Sequence, residues 1–356
     1  MKKILVASSA LVAVAFAGQA QASEKISLSV SGYMEQWIGV ADQDNNAVDN
    51  VNAFQSDTEV HFKGATTLDN GIEVGAAIEF EGEGGNSGTM VDEQYLYVNG
   101  GFGQVKLGAE DGAAADMGIS APAVGPVGAN DGDMPNWVTL AVTPDTVPAG
   151  GDSKRLTYYT PSLGGFKAGI SYADDDSSEN NDKVTSGDNR VSGGVEYSGD
   201  FDGVSVAVAV TGEHMGEGEW YSVGTKVGFG AFTIGGSAMR RDAEFGYGQN
   251  VTANIGTGTG GNRTTADDDK HYDIGVSYAM DAASVSLTYA YAEDDSSNTS
   301  TGSDEVSAID LGLAYTLGAG VTWKSSVFWF DSEGQDAGTA DDNEGYGVVT
   351  GLALSF

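Results

Sequence analysis

Large apolar residues recur at every second position over stretches of about ten residues, with turn or loop residues between one stretch and the next. The stretch "KISLSVSGYMEQWIGVA" puts Ile26, Leu28, Val30, Met34, Ile38 and Val40 on one face, and Ser27, Ser29, Ser31, Tyr33, Glu35 and Trp37 on the other. "DTEVHFKGATTL" sets Val60, Phe62 and Leu68 against Glu59, His61 and Lys63. After Asp69-Asn70-Gly71, "IEVGAAIEFEG" sets Ile72, Val74, Ile78 and Phe80 against Glu73 and Glu79. Asn-Gly between two alternating runs predicts a hairpin. The sequence stops on "GYGVVTGLALSF", where Tyr346, Val348, Leu352, Leu354 and Phe356 share a face backed by Gly347, Gly351 and Ala353. The pattern gives about sixteen strands, starting near residues 26, 57, 72, 92, 104, 154, 166, 189, 204, 220, 232, 271, 284, 306, 321 and 345.

The connections alternate too. Those near 69, 100, 162, 200, 230, 281 and 318 are tight, whereas those at 42–53, 109–153, 174–188, 240–269, 293–304 and 331–344 are long and polar. Two others, at 82–91 and 213–219, are shorter. This is an up-and-down antiparallel sheet with one elaborated end. All six prolines lie between Pro122 and Pro161, outside every proposed strand, as expected of a residue that cannot donate to a ladder.

The chemistry of the two faces decides where the sheet lives. A water-soluble sandwich turns its apolar face inward and its charged face to solvent. Here the second face is mainly Gly, Ala and Ser with scattered Glu, Lys and Tyr. Aromatics gather at strand ends, with Phe166, Phe229, Phe232, Tyr278 and Tyr315 beside tight turns and Tyr172, Tyr291 and Trp329 beside long loops. These are the marks of two interfacial girdles. No run after residue 22 is long enough for a transmembrane helix, and in lipid only a closed sheet satisfies every backbone group. The expected fold is all-β, a transmembrane β-barrel with the oily stripe facing lipid.

Residues 1–22, "MKKILVASSALVAVAFAGQAQA", combine Lys2 and Lys3, a short apolar run and an Ala20-Gln21-Ala22 ending, the layout of a cleaved secretory leader. Residues 23–356 would then be the mature barrel, exported through the periplasm. Its net charge would be −38, since the full chain carries −36 and loses two lysines. That charge disfavours nucleic acid and favours cations. With no cysteine, no disulfide holds the fold.

"YLYVNGGFGQVKLGAEDG" (95–112) and "KRLTYYTPSLGGFKAGISYADD" (154–175) resemble the general bacterial porins, most of all the group of Rhodobacter-like alphaproteobacteria. The terminal Phe356 on an alternating strand is similar to that family's assembly signal. The resemblance implies a sixteen-stranded homotrimeric channel in the outer membrane of a Gram-negative bacterium, in contact with lipid and lipopolysaccharide, with a long third loop folded into the lumen.

Residues 109–153 suit that loop on their own terms. They form the longest gap between strands, and such loops are commonly functional. They hold five prolines and seven acids, Glu110, Asp111, Asp116, Asp131, Asp133, Asp145 and Asp152, with no Lys or Arg. The bases of lumen parity are Lys63, Lys106, Arg155, Lys167, Arg190, Lys226 and Lys324. The resemblance implies that Lys63, Lys106 and Arg155 face Asp111, Asp116, Asp131 and Asp133 across the narrowest section. The other reading of each is a merely solvated wall position. The expected function is passive diffusion of small hydrophilic solutes and ions with mild cation selectivity. The alternatives are a solute-specific channel, with Trp137 or Tyr159 stacking on a sugar, and a non-conducting surface barrel or adhesin.

No nucleophile motif points to catalysis, so no enzyme activity and no required cofactor are expected. Acid clusters at 174–180, 267–269, 293–295 and 341–344 read as solvated loop charge, with Ca²⁺ bridging as the minority reading. His61, His214 and His271 are scattered and do not form a structural zinc site. His61 has lumen parity beside Glu59, which offers a weak pH-sensitive wall site, but a solvated position is the favoured reading.

Overall fold

The computed structural model describes residues 25–44, 54–82, 90–148, 151–174, 189–242, 244–245, 268–294, 303–334 and 342–356. The expected leader at 1–22 lies outside these residues, as do 175–180, 267, 295 and 341 of the acid clusters considered for Ca²⁺. Sixteen strands form one closed antiparallel barrel. They are β1 (Ser27–Gln43), β2 (Phe54–Thr67), β3 (Glu73–Glu81), β4 (Val91–Gly100), β5 (Gly103–Ala109), β6 (Lys154–Tyr159), β7 (Phe166–Ala173) and β8 (Arg190–Phe201). The second half comprises β9 (Val204–Met215), β10 (Gly218–Phe229), β11 (Phe232–Arg241), β12 (Asp269–Met280), β13 (Ala283–Asp294), β14 (Asp304–Gly318), β15 (Val321–Glu333) and β16 (Asn343–Ser355). Each predicted strand is present, with its start within three residues of the expected one.

Every strand pairs with its chain neighbours, and β1 closes on β16 from Tyr33↔Ser355 to Gln43↔Gly345. Beyond the strand end, Gly32 N donates to Phe356 O at 3.0 Å and Phe356 N donates to Gly32 O at 3.1 Å. The last residue is therefore held in the seam. Closure leaves no open edge, which a sheet in hydrocarbon requires. Turn chemistry sets the hairpins: Phe201 pairs with Val204 around Asp202 (φ 54°) and Gly203 (φ 86°), and two positive-φ residues make the primed turn that matches strand twist.

The alternation resolves as expected on the outside. Leu28, Val40, Ile274, Leu311, Val348 and Phe356 all stand exposed, Ile274 at 60% and Phe356 at 62%. Near the tight-turn end, Phe166 lies 4.8 Å from Tyr197, Phe229 lies 5.6 Å from Phe232, and Phe232 lies 4.6 Å from Tyr278, ring centre to ring centre. At the other end, the Tyr272 and Tyr291 rings stack at 6.2 Å. These are the two girdles of a membrane barrel. No helix among the described residues is long and apolar enough to cross a membrane.

The inner face differs from the expected one in one respect. Part of it is apolar and dry, because the chain between β5 and β6 lies against it. Trp37, Ala308, Phe328, Phe330 and Val349 of the wall pack on Val127, Ala129, Met134, Trp137 and Val138 of that loop. The glycines of the inner wall make room for it. A Cβ on Gly224 would collide with the Ile119 carbonyl, and one on Gly39 with the Trp137 ring.

Candidate functional site

The loop starts with Glu110 and opens into a one-turn helix, α1 (Ala113–Met117), laid on β6 to β9. Two wall serines hold its first turn: Ser171 Oγ and Ser192 Oγ each accept an amide, from Ala113 and Ala114 respectively, at 2.9 Å. The chain then runs round the wall. Pro122 O accepts from Thr288 Oγ1 at 2.8 Å on β13, and the Val124 amide donates to Ser286 Oγ at 3.0 Å. It turns back beneath β16, β1 and β2, where Gln55 Nε2 of β2 donates to Asn136 O at 2.9 Å and Asn343 Nδ2 of β16 donates to Thr139 O at 2.9 Å. On the return leg the Ala141 amide meets Ser332 Oγ at 2.8 Å, and His271 Nδ1 donates to Asp145 O at 2.6 Å. Asp131 and Asp145 form an isolated bridge between the two legs. The loop is thus a two-legged flap, bonded to the wall from β7 round to β2, that takes up part of the lumen.

The predicted site residues separate into groups. Lys106 Nζ lies 3.5 Å from Asp116 Oδ2 and in direct ion-pair contact with Glu110, and it sits 4.7 Å above the Tyr95 ring centre. Tyr159 OH also donates to Asp116. Lys106 and Asp116 are therefore brought together in contact. Lys63 instead meets Glu79 Oε1 at 2.9 Å on the neighbouring strand. Arg155 is 2% exposed; its guanidinium donates to the carbonyls of Ser153 and Gly151 and lies 4.0 Å from Glu213. Asp131 and Asp133 stand exposed at the tip of the flap. The charges nearest them include Glu35 and Asp310, which are acids like themselves.

Desolvation, with like charge crowded beside several of them, shifts the loop carboxyls upward. Desolvation, then Asp131 and Glu35, lifts Asp133 to about 6. Desolvation, then Asp92 and Asp111, lifts Asp152 to about 7. Asp111 and Asp145 are raised as well, each chiefly by burial, and Asp131, although its surface is open to the lumen, is raised by the protein packed round it and then by Asp145. Trp137 is 6% exposed and Tyr159 is 4% exposed, so neither offers an open ring face on which a sugar could stack.

Three features escaped the sequence reading. The buried partners Glu110 and Glu213 were hidden because a carboxylate of lumen parity looks the same whether wet or paired. The wall contacts of the loop were hidden because Gly and Ser suit both water and a docked chain. The pairing of His61 with Glu79 was recoverable: a hairpin centred on Asn70 sets residues 61 and 79 opposite each other.

A model of the Gram-negative porin family matches residues 7–335. No curated protein matches the chain. Among solved structures, the anion-selective porin from Comamonas acidovorans shares 17% identity, with 93% of this chain and 100% of that one covered and a TM-score of 0.61. The outer-membrane protein OmpT of Vibrio cholerae shares 10% identity over 95% and 99%, TM-score 0.62. A mutant of the Rh. blastica porin shares 16% over 93% and 100%, TM-score 0.57. At these identities the likeness is one of fold.

Proposed function

The chain belongs to the Gram-negative porin family, and we propose that it forms a water-filled outer-membrane channel through which small hydrophilic solutes and ions diffuse passively, with mild preference for cations. Family and fold support a channel over an enzyme. The observation that carries the selectivity is the state of the lumen bases. Lys63 is paired with Glu79, Lys106 with Glu110, Arg155 and Arg190 with Glu213, and Lys324 with Glu35. Lys63, Lys106 and Lys324 are offset by one wall or loop carboxylate apiece and Arg155 and Arg190 share Glu213, while Asp111, Asp116, Asp131 and Asp133 add a surplus of negative charge on the flap beside them. A surplus of one sign in a narrow aqueous bore concentrates its counter-ions. In this reading those four acids, with Lys63, Lys106 and Arg155, set the charge of the constriction.

The Comamonas relative is anion-selective. That does not conflict with this proposal, because selectivity follows the charges lining a pore and not the barrel that carries them. A homotrimer is proposed as well, supported by the trimer form of OmpT of Vibrio cholerae. Lipid and lipopolysaccharide would cover the rest of the outer face. The Ca²⁺ reading is weakened for two of the acid clusters, where Asp268 pairs with Arg240, Asp269 and Asp294 with Arg241, and Glu293 with Lys270. Reconstitution in a planar bilayer under a KCl gradient tests the function. A stepwise current with a reversal potential favouring K⁺ is expected. A Cl⁻-favouring potential would overturn the selectivity, and no current at all would overturn the channel.

A further inference from the structure

On the lumen wall, register brings one imidazole between two carboxylates. The turn after Leu68 folds β2 onto β3 so that His61 stands opposite Glu79. Glu59, two residues earlier on β2, shares the face of His61, and on the other side Tyr33 of β1 stands opposite Glu59. We propose that Glu59, His61 and Glu79 bind a divalent transition-metal cation of the zinc class.

The donor atoms already converge. His61 Nε2 lies 2.6 Å from Glu59 Oε2 and 3.3 Å from Glu79 Oε2, and the three ligand atoms all fall within 4.8 Å of one another. Zinc bound tetrahedrally at its usual distances to N and O separates its donors by about 3.3 Å. The His61–Glu79 spacing has that value, and the shorter His61–Glu59 contact opens when a metal replaces the shared proton.

What distinguishes the group from a patch of acids is how each carboxylate is held. Tyr33 OH donates to Glu59 Oε1 at 2.6 Å, and Lys63 Nζ meets Glu79 Oε1 at 2.9 Å. In both, one oxygen is fixed by an outside donor and the other is aimed at the same imidazole nitrogen. Outer partners of this kind orient metal ligands and raise affinity. Lys63 places one positive charge beside the group, but Glu81 and Asp92, which gather with Glu59 in a second cluster, return the balance to negative. A nitrogen donor among the oxygens favours zinc, copper or nickel over calcium or magnesium. With three protein donors, a fourth position is left to water or a solute ligand in the lumen.

The proposal does not depend on conduction, and its test is run without current. The full barrel, folded in detergent and stripped with a chelator, is titrated with Zn²⁺ by calorimetry. One saturable site per chain is expected, undisturbed by excess Ca²⁺. H61Q and E79Q should each weaken it at least tenfold, Y33F by about tenfold, and H214Q not at all. Binding that H61Q leaves unchanged, or that Ca²⁺ displaces, would overturn the site, as would no saturable binding. Should H61Q fail to fold, Cu²⁺ bound to the unaltered barrel decides the matter by electron paramagnetic resonance. Nitrogen splitting from one imidazole supports the site, and an all-oxygen spectrum refutes it.

Discussion

Asp273 accepts the side-chain amide of Asn130 at 2.9 Å on Oδ2, tying the tip of the flap to the middle of β12. The same carboxylate takes the Ala121 amide at 3.0 Å and the Thr146 hydroxyl at 3.2 Å, one from each leg, while its Oδ1 accepts from Ser237 at 2.7 Å. A hydrogen bond to a charged group contributes about 1.5–3 kcal/mol, and here three of the four secure the loop. D273A should therefore release the flap while leaving the barrel closed. The expected readout is a channel with noisy, multi-level current and new protease cleavage within residues 118–147, both milder in D273N, which keeps an acceptor oxygen. Quiet single-level current from D273A would show that the apolar packing around Met134 and Trp137 holds the loop unaided.

The raised carboxyls of the flap make selectivity depend on pH. Asp133 at about 6 and Asp152 at about 7 are ionised at pH 8 and largely protonated at pH 5. Acidification across that window removes negative charge from the bore, so preference for K⁺ over Cl⁻ should fall. Reversal potentials at pH 8, 6.5 and 5 measure this, and D133N/D152N should flatten the curve. Docking of the flap runs the opposite way. A carboxyl whose folded pKa lies above its unfolded one binds more protons when folded. Stability from these two groups is greatest near pH 4 and falls as pH rises through 6 to 7. Protease resistance of the loop should thus be higher at pH 5 than at pH 8.

Lys106 is the only base among the described residues in contact with both the start of the flap, at Glu110, and its first exposed acid, Asp116. Glu110 is fully buried. K106Q should strand that carboxylate and cost about 3–5 kcal/mol, read as a lower unfolding temperature in detergent. K106Q/E110Q, which removes one charge of each sign, should recover most of the loss with an ion preference close to that of the unaltered channel. If the double variant is as unstable as the single one, Lys106 acts through its stacking on Tyr95 and not through charge.

The strands were legible because period-two burial leaves a mark at every position: Val204, Val206, Val208 and Val210 need no partner to declare their face. The long loop was legible as a gap with prolines. Its path was not, since Ser171, Ser192 and Ser286 carry no sign of whether water or a backbone amide will take their hydroxyls. The charge pairs were harder still. Arg155 and Glu213 are 58 positions apart, and they meet because strands β6 to β9 are adjacent in a barrel whose register no local motif states. Lys63 and Glu79 flank a tight turn, where register can be counted.

Orientation is the premise of every claim above, and a single charge tests it. Ile274 sits near the middle of β12 with its side chain outward, while its neighbour Asp273 points in and bonds the flap. In a membrane barrel, lysine at the midplane on the lipid face costs about 2–4 kcal/mol, and the cost falls toward either interface. I274K should therefore fold poorly into lipid vesicles, whereas lysine in place of lumen-facing Ser29, near a strand end, should cost no more than about 1 kcal/mol, for the lost bond to the Lys63 carbonyl and the like charge of Lys63 opposite. The comparison is sharp because both substitutions place an ammonium on a residue that stands exposed. In a water-soluble protein both would be harmless. Refolding into phosphatidylcholine vesicles, followed by tryptophan fluorescence against urea, gives the two free energies. Equal values for I274K and S29K would mean that the outer stripe does not meet hydrocarbon.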